Sequence, residues 1–423
     1  MKAAILAAGE GTRLQPLTAT RPKHLVNVGG KPILEHCLAA LKGSGITEVV
    51  IVVRYMADMI KAHFGDGNSI GMKIEYVEQN GFFGTGDALS IVEPHVKEDF
   101  LLVNGDLLFD TDPIKAVIAL HQKEKTATTM AVVPVDKPEN YGIVELEDDK
   151  KVKRVIEKPS REQAPTNLAN AGIYVFSTEI FPILRKISPS PRGEIEIPDA
   201  LTLLIKDNKT VAATKISKEQ WLDIGTPWDL LEANRWILSR MKTKVEGTVE
   251  NGAHLVGHVA VAETARIRSG AYIEGPTCIG PESDIGPNCY VRTYTSIGKK
   301  VRIGNACEIK NSILMDHVHV GHLSYLGDSV IGEHSNLGAG TITANYRLDA
   351  KTIKMMIKDK ITDSGRNKLG VVLGDNVKTG INALFMPGIK IGNDSWVGPN
   401  VLVKRDIPSN SKVFLQQDIE QRS

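Results

Sequence analysis

Two hydrophobic periods divide the chain. Up to about Trp228, short apolar runs alternate with helically spaced segments. Lys2 to Ala7 reads as a buried strand running into a Gly-rich turn, and Pro32 to Lys42 has helical spacing that stops at Gly43. Glu48 to Val53, Lys73 to Val77 and Phe100 to Val103 continue the series as strands. This order predicts right-handed βαβ crossovers in an α/β, Rossmann-like domain, with a mainly parallel sheet covered on both faces. Trp228 to Met241 predicts a connecting helix.

Beyond that helix the period is six. Val249, Leu255, Val261, Ile267, Ile273, Ile279, Ile285, Val291, Ile297, Ile303 and Ile309 fall six apart without a miss, and the phase returns at Leu373, Thr379, Phe385, Ile391, Val397 and Val403. Neither a helix nor a simple strand sustains that spacing, whereas hexapeptide repeats build a parallel β-helix whose inward residues stack in columns. The general crossover rule alone favours a right-handed coil. The register slips between Ile309 and Ile331 and is lost between Thr341 and Leu373, where Lys, Asp and Arg predict an excursion of the kind that carries function in repeat proteins. The expected divisions are a first domain over 1–228, a linker helix over 229–244, a solenoid over 245–405 with an excursion at 341–372, and a tail over 406–423.

Composition narrows the class. A length of 423 residues suits two or three domains, and 42% apolar residues suffice for packed cores. A formal net charge of +1 offers no footprint for nucleic acid or an anionic membrane. Ala3 to Ala8 is too short for a signal-peptide core or a membrane span, so a cytoplasmic protein is expected. Cys37, Cys278, Cys289 and Cys307 lack CxxC spacing and read as small buried apolar residues.

Candidate chemistry begins at the first turn, Leu6-Ala7-Ala8-Gly9-Glu10-Gly11-Thr12-Arg13. Its glycines would let backbone N–H groups approach phosphate oxygens, although no Gly-Lys-Ser/Thr follows and Leu14 stands where a dinucleotide fingerprint wants a third Gly. Arg13, and Lys23 in Arg21-Pro22-Lys23, could neutralise a triphosphate. Asp106 ends the fourth strand at the sheet edge where such folds bind ligands, and Asp223 follows another short apolar segment. Two carboxylates with phosphate oxygens are a usual way to hold Mg²⁺.

Gly-x-Gly-Thr-Arg, Arg-Pro-Lys, Gly-Thr-Gly at 84–86, Gly105-Asp106, Glu157-Lys158-Pro159, Asn170-Ala171-Gly172 and Asp223-Ile224-Gly225 occur in that order. The set resembles the sugar-1-phosphate nucleotidylyltransferases. That resemblance implies a triphosphate (UTP or dTTP) held by Leu6, Ala8, Gly9, Gly11, Thr12 and Arg13, and the transferred phosphate held by Lys23. It implies base recognition by Gln79, Gly84 and Thr85, sugar phosphate on Asn104, Gly142, Glu157, Lys158 and Asn170, and Mg²⁺ on Asp106 and Asp223. Asn104 departs from the Tyr often found before Gly-Asp in the uridylyl branch.

On the solenoid, Gly321-His322-Leu323-Ser324-Tyr325 lies where the register slips, and Asn336-Leu337-Gly338-Ala339-Gly340 follows. They resemble the acetyltransferase half of the bifunctional N-acetylglucosamine-1-phosphate uridylyltransferases, particularly archaeal members, whose left-handed β-helix trimerises. The resemblance implies His322 as general base, Tyr325, Asn336 and Asn345 on an amino-sugar phosphate, and Ala339 and Tyr346 at acetyl-CoA. It also implies a homotrimer. Against the bacterial members, the residues after Arg405 are expected to lack the basic tail. Arg292 and Lys310 are eighteen residues apart, so in a three-hexad coil they would stack, which like charges resist unless an anion intervenes. A metal patch at His317 and His319 is a rival reading, as is a glucose-1-phosphate thymidylyl- or uridylyltransferase whose solenoid only assembles subunits.

Overall fold

The computed structural model describes residues 1–80, 84–190 and 193–421. It falls into two compact units that do not simply follow the chain: one comprises 1–10 and 33–224, the other 11–32 and 225–423.

The first unit is built on a mixed sheet. Ala3–Ala7 pairs in parallel with Glu48–Val53 on one side and Phe100–Asn104 on the other, and Lys73–Glu78 extends the parallel part beyond Glu48–Val53. Ala3–Ala7, Glu48–Val53 and Phe100–Asn104 are buried on both faces, which is why they read as nearly unbroken apolar runs. Lys73–Glu78, at the sheet edge, is partly exposed and alternates with polar residues. Helices Ile33–Gly43 and Ala57–Phe64 make the crossovers. Past Phe100–Asn104 the pairing turns antiparallel through Leu168–Phe176, Thr128–Pro134, Gly142–Leu146 and Val152–Glu157. Phe100, stacked on Phe181 at 5.6 Å between centroids, fills the space under that flank.

The second unit contains the helix Pro227–Arg240, started by Pro227 and a Thr226–Asp229 capping box, and then a left-handed parallel β-helix. The six-residue markers rotate through three sheets: Ile267, Ile285 and Ile303 fall on one, Ile273, Val291 and Ile309 on the next, Ile279 and Ile297 on the third. All of these point inward into one apolar column. The coils run on to Lys412–Val413, which pairs with Trp396–Val397 inside the expected tail, whose residues 422–423 lie outside the described part.

The register slip has a simple cause. Ile309 pairs with Leu326, and Leu314 with Ile331, so these coils are 17 residues long rather than 18. The missing residues come from one corner, at Lys310–Ser312 and again at Gly327–Ser329, where five residues separate successive markers (Ile309 to Leu314, Leu326 to Ile331). The excursion leaves from the same corner, between Ile342–Thr343 and Val372–Leu373, and carries the hairpin Lys354–Ile357 with Lys360–Asp363.

Because each coil buries its side chains only against its neighbours, Ile303→Ala should cost about 2–5 kcal/mol. The check is a fall in the unfolding free energy of the solenoid transition in urea, with strand content preserved.

Candidate functional site

In the first unit the sheet edge gathers two groups. Asp106 ends the turn after Phe100–Asn104; the short strand Leu107–Phe109 that follows pairs antiparallel with Trp221–Asp223, Asp223 opposite Leu107. The amide of Ile224 donates to the Asp106 carbonyl at 3.2 Å. The two aspartates are thus on touching backbones, both half-buried. Hard carboxylate oxygens so placed suit Mg²⁺, which takes one or two carboxylates and completes its shell with water and substrate phosphate. No cluster of three or more metal-binding side chains occurs among the described residues, so protein groups alone do not cage an ion here.

The second group is the set expected to face the sugar phosphate. Gly142 pairs with Glu157, and a Cβ on Gly142 would lie 2.9 Å from the Glu157 carboxylate and 3.8 Å from the Cβ of Asn170. Asn170 is held in place: its Nδ2 donates to the Tyr174 hydroxyl at 2.6 Å and its Oδ1 accepts from the Gly172 amide at 3.1 Å. Asn104 lies against Gly172. Lys158 pairs with Glu157 at 3.3 Å and is half exposed.

Gln79 is buried, and both hydrogens of its amide are used, on the Gly84 carbonyl (3.2 Å) and the Asp87 carboxylate (2.8 Å). The amide is therefore oriented with Oε1 as its remaining acceptor. Gly84 has φ +86°, and any side chain there would collide with the Ile195 carbonyl. Thr85 has a structural task, accepting from the Ile197 amide at 3.1 Å at the start of the helix Ile197–Lys206. Leu6 and Ala8 are tied through their carbonyls, Leu6 accepting from the Gly105 amide at 2.9 Å and Ala8 from the Arg54 side-chain Nε at 3.4 Å, while Gly9 is exposed.

In the second unit Gly11 has φ +68°, and its chain presses on Lys23: a Cβ on Gly11 would sit 2.7 Å from the Lys23 Cβ. The Gly11 carbonyl accepts from Leu14 N (2.8 Å) and Thr18 Oγ1 (2.9 Å), so Thr12 and the exposed Arg13 are carried on a tight turn. Arg13 lies beside Gly225 and near Asp229, whose carboxyl burial pushes up and whose bonds to Thr226 and Gly225, with the Arg13 charge, pull down.

The solenoid site forms at the irregular corner, around a residue that the motif reading passed over. Asp328 is 3% exposed and accepts from Lys310 Nζ at 3.1 Å, Asn311 Nδ2 at 2.6 Å and Asn345 Nδ2 at 2.5 Å. Asn345 also donates to the Tyr325 hydroxyl at 3.1 Å, whose phenol is pushed up by burial and then by the Asp328 charge. Lys310, Asn311 and Asn345 thus converge on one carboxylate, and Tyr325 joins them through Asn345.

Arg292 is one coil from Lys310, as the spacing predicts, since its amide bonds the Ile309 carbonyl. The expected repulsion is relieved inside the protein, however: Arg292 pairs with Glu308 at 2.9 Å, and Lys310 with Asp328. The stack therefore needs no external anion, and the eighteen-residue spacing is not by itself a sign of a phosphate site.

His322 is exposed at the strand end three residues before Tyr325, its carbonyl accepting from Ser324 Oγ at 2.8 Å and the Gly340 amide at 3.3 Å. Ala339 is on the turn just before Gly340, and Asn336, exposed, pairs with His319 across the coils. Tyr346 is half exposed at the start of the excursion. Among the described residues, no hydrogen bond joins Asn336, Ala339 or Tyr346 to the Asp328 cluster. His317 stacks on His334 at 4.4 Å, and among the described residues the histidines belong to no metal cluster.

Residues 2–240 match the nucleotidyl transferase family, and residues 273–383 match the GMPPB C-terminal domain. A Methanococcus maripaludis protein named bifunctional protein GlmU is 47% identical, covering 99% of this chain and 98% of its own. Its Methanocaldococcus jannaschii namesake is 42% identical over the same shares. A Sulfurisphaera tokodaii protein named bifunctional sugar-1-phosphate nucleotidylyltransferase/acetyltransferase is 40% identical, covering 96% of this chain and 98% of its own. The chain belongs to the bifunctional GlmU family. A solved Bacillus anthracis protein described as a glucose-1-phosphate thymidylyltransferase shares the fold of the first part, with TM-score 0.51 and 30% identity over 55% of this chain and 94% of that one. No helix among the described residues is long and apolar enough to cross a membrane.

In this GlmU family member Asp328 is the residue whose loss should be felt first. Asp328→Ala leaves Lys310, whose side chain is 18% exposed, without its buried partner and should cost about 3–5 kcal/mol. Urea unfolding checks this, and Asp328→Asn should recover part of the loss through its remaining hydrogen bonds.

Proposed function

We propose that this chain acetylates glucosamine-1-phosphate from acetyl-CoA on its solenoid, galactosamine-1-phosphate being a second candidate substrate. The nucleotidyl site then transfers uridylyl from UTP, giving UDP-N-acetylglucosamine and pyrophosphate. The observation that carries the acetyl half is the corner where Lys310, Asn311 and Asn345 converge on Asp328 and Asn345 also holds the hydroxyl of Tyr325, three residues along the chain from exposed His322. The full-length Sulfurisphaera tokodaii relative, named for both a nucleotidylyltransferase and an acetyltransferase, supports the pairing of the two reactions. A cytoplasmic homotrimer, assembled through the solenoid, belongs to the same reading.

An amine attacks a thioester only when neutral. His322 would accept the proton it sheds, imidazole being the side chain suited to that near neutral pH. The sugar nitrogen bonds to the acetyl carbon, and the coenzyme A sulfur leaves with its electron pair. Arg292 and Lys310 would hold the phosphate, and Tyr325, Asn336 and Asn345 the sugar. Ala339 would lie at the thioester with its N–H toward the developing oxyanion, Tyr346 flanking the coenzyme.

In the nucleotidyl step a phosphate oxygen of the sugar attacks the α-phosphorus and pyrophosphate leaves, so the protein supplies position and charge rather than a covalent nucleophile. Gln79 Oε1 would accept the N3–H of the pyrimidine beside Gly84, which favours uracil or thymine over cytosine, whose N3 carries no hydrogen. Leu6, Ala8, Gly9, Gly11, Thr12 and Arg13 are assigned to the triphosphate and Lys23 to the transferred phosphate. Asn104, Gly142, Glu157, Lys158 and Asn170 are assigned to the sugar phosphate. Asp106 and Asp223 would hold Mg²⁺, whose charge offsets that of the phosphates.

With glucosamine-1-phosphate, acetyl-CoA, UTP and Mg²⁺, the protein should release thiol and pyrophosphate. His322→Ala should lose thiol release and keep pyrophosphate release from N-acetylglucosamine-1-phosphate, and Asp106→Asn the reverse. EDTA should abolish pyrophosphate release alone. Absence of thiol release with both amino-sugar phosphates would reduce the solenoid to a scaffold.

A further inference from the structure

The Arg-Pro-Lys sequence contains a cation that neither reaction uses. Arg21 is buried at 6% exposure, in a segment that clusters with the second unit. Its Nη2 meets the Asp375 carboxylate at 2.5 Å, and its Nη1 meets Glu333 at 3.1 Å and the Met315 sulfur at 2.9 Å. These partners come from three successive coils, since Leu314, Ile331 and Leu373 are in register.

The column itself explains why a cation is required. Asp316, Glu333 and Asp375 each stand two residues past those markers, so the solenoid stacks three carboxylates along one corner. Burial pushes the Glu333 carboxyl up, with the charges of Asp375 and Asp316 adding to the rise and Arg21 opposing it. The next coil continues the anchorage. Asn393, two past Ile391, accepts from the Asp375 amide at 2.6 Å and donates to the Pro16 carbonyl at 3.1 Å. Thr20 Oγ1 donates to the same Asp375 oxygen at 2.5 Å. From Pro16 to Arg21 the segment is fastened to the coils at three points. Pro22 then leads directly to Lys23, which packs on Gly11.

We propose that Arg21 is a positioning residue for nucleotidyl transfer: the acidic column of the solenoid fixes the loop that presents Lys23 and Gly11 to the phosphates. The proposal rests on the assignment of Lys23 above. It gives the coils a part in the first reaction separate from acetylation. Arg21 touches no substrate in this scheme and acts only through Lys23.

The test is a double-mutant cycle on the full chain with Arg21→Met, Lys23→Ala and the combined variant, following pyrophosphate and thiol release. Arg21→Met should lower kcat/KM for pyrophosphate release about 10- to 100-fold, as expected when a catalytic group is displaced by about an ångström. Thiol release per mole of protein should stay within twofold, showing that the solenoid is intact. In the Lys23→Ala background Arg21→Met should cost almost nothing more, because the group it positions is gone. Arg21→Lys, which keeps the charge, should recover part of the rate. The proposal is overturned if Arg21→Met transfers within twofold of wild type, or if the two losses multiply, which is the mark of general damage. Wild-type protein that releases no pyrophosphate would instead refute the transfer reading, and the positioning role with it. Thr20→Val, which removes one bond to Asp375 and leaves both charges, is the milder companion; it should reproduce a smaller loss of pyrophosphate release, and an unchanged rate would count against the anchorage.

Discussion

The stacking of coils is the constraint on which the second unit depends. Each strand bonds to the strand one turn above and one turn below, so whatever occupies a given position recurs 17 or 18 residues later beside its equivalent. For the inward positions this makes a continuous apolar column and needs no further adjustment. For polar positions it is a liability, since like groups are forced together. The structure meets that liability in two ways. At the irregular corner, Arg292 and Lys310 are interleaved with Glu308 and Asp328 from the next coils. Along the acidic corner the carboxylates of Glu333 and Asp375 are paired with Arg21, a positive group that arrives from residues 11–32.

The period of six was legible because it depends on nothing but inward packing. The slip was legible too, as a lost register, and it marks the corner where five residues replace six. What the slip encloses was not legible. Asp328 follows a Gly in a motif whose His and Tyr draw the eye, and its role lies in three partners 17 or 18 residues away. In the first unit the order of motifs located the sheet edge, because chain order fixes which strand ends lie there. It could not show that Thr85 is engaged with the Ile197 amide, a contact across 112 residues. Nor could it place residues 11–32, which read as part of the first domain. Arg21 and Asp375 are 354 residues apart, and no local pattern reports on such a pair.

The irregular corner also separates two kinds of cation. Arg292 and Glu308 are each more than a third exposed, and a pair so hydrated contributes about 0–1 kcal/mol. Lys310 and Asp328 are 18% and 4% exposed, and Asp328 has two amide donors besides. Removing one partner of such a pair costs several times more than the exposed pair is worth. A phosphate arriving at this corner would therefore exchange with Glu308 for Arg292 at little cost, whereas it could not take Lys310 from Asp328. It would have to share Lys310, using the ammonium hydrogens that Asp328 leaves over. In the proposed phosphate site Lys310 would be a fixed floor and Arg292 a movable arm. Asp328 keeps the floor in place by holding Lys310, Asn311 and Asn345 from the same two oxygens.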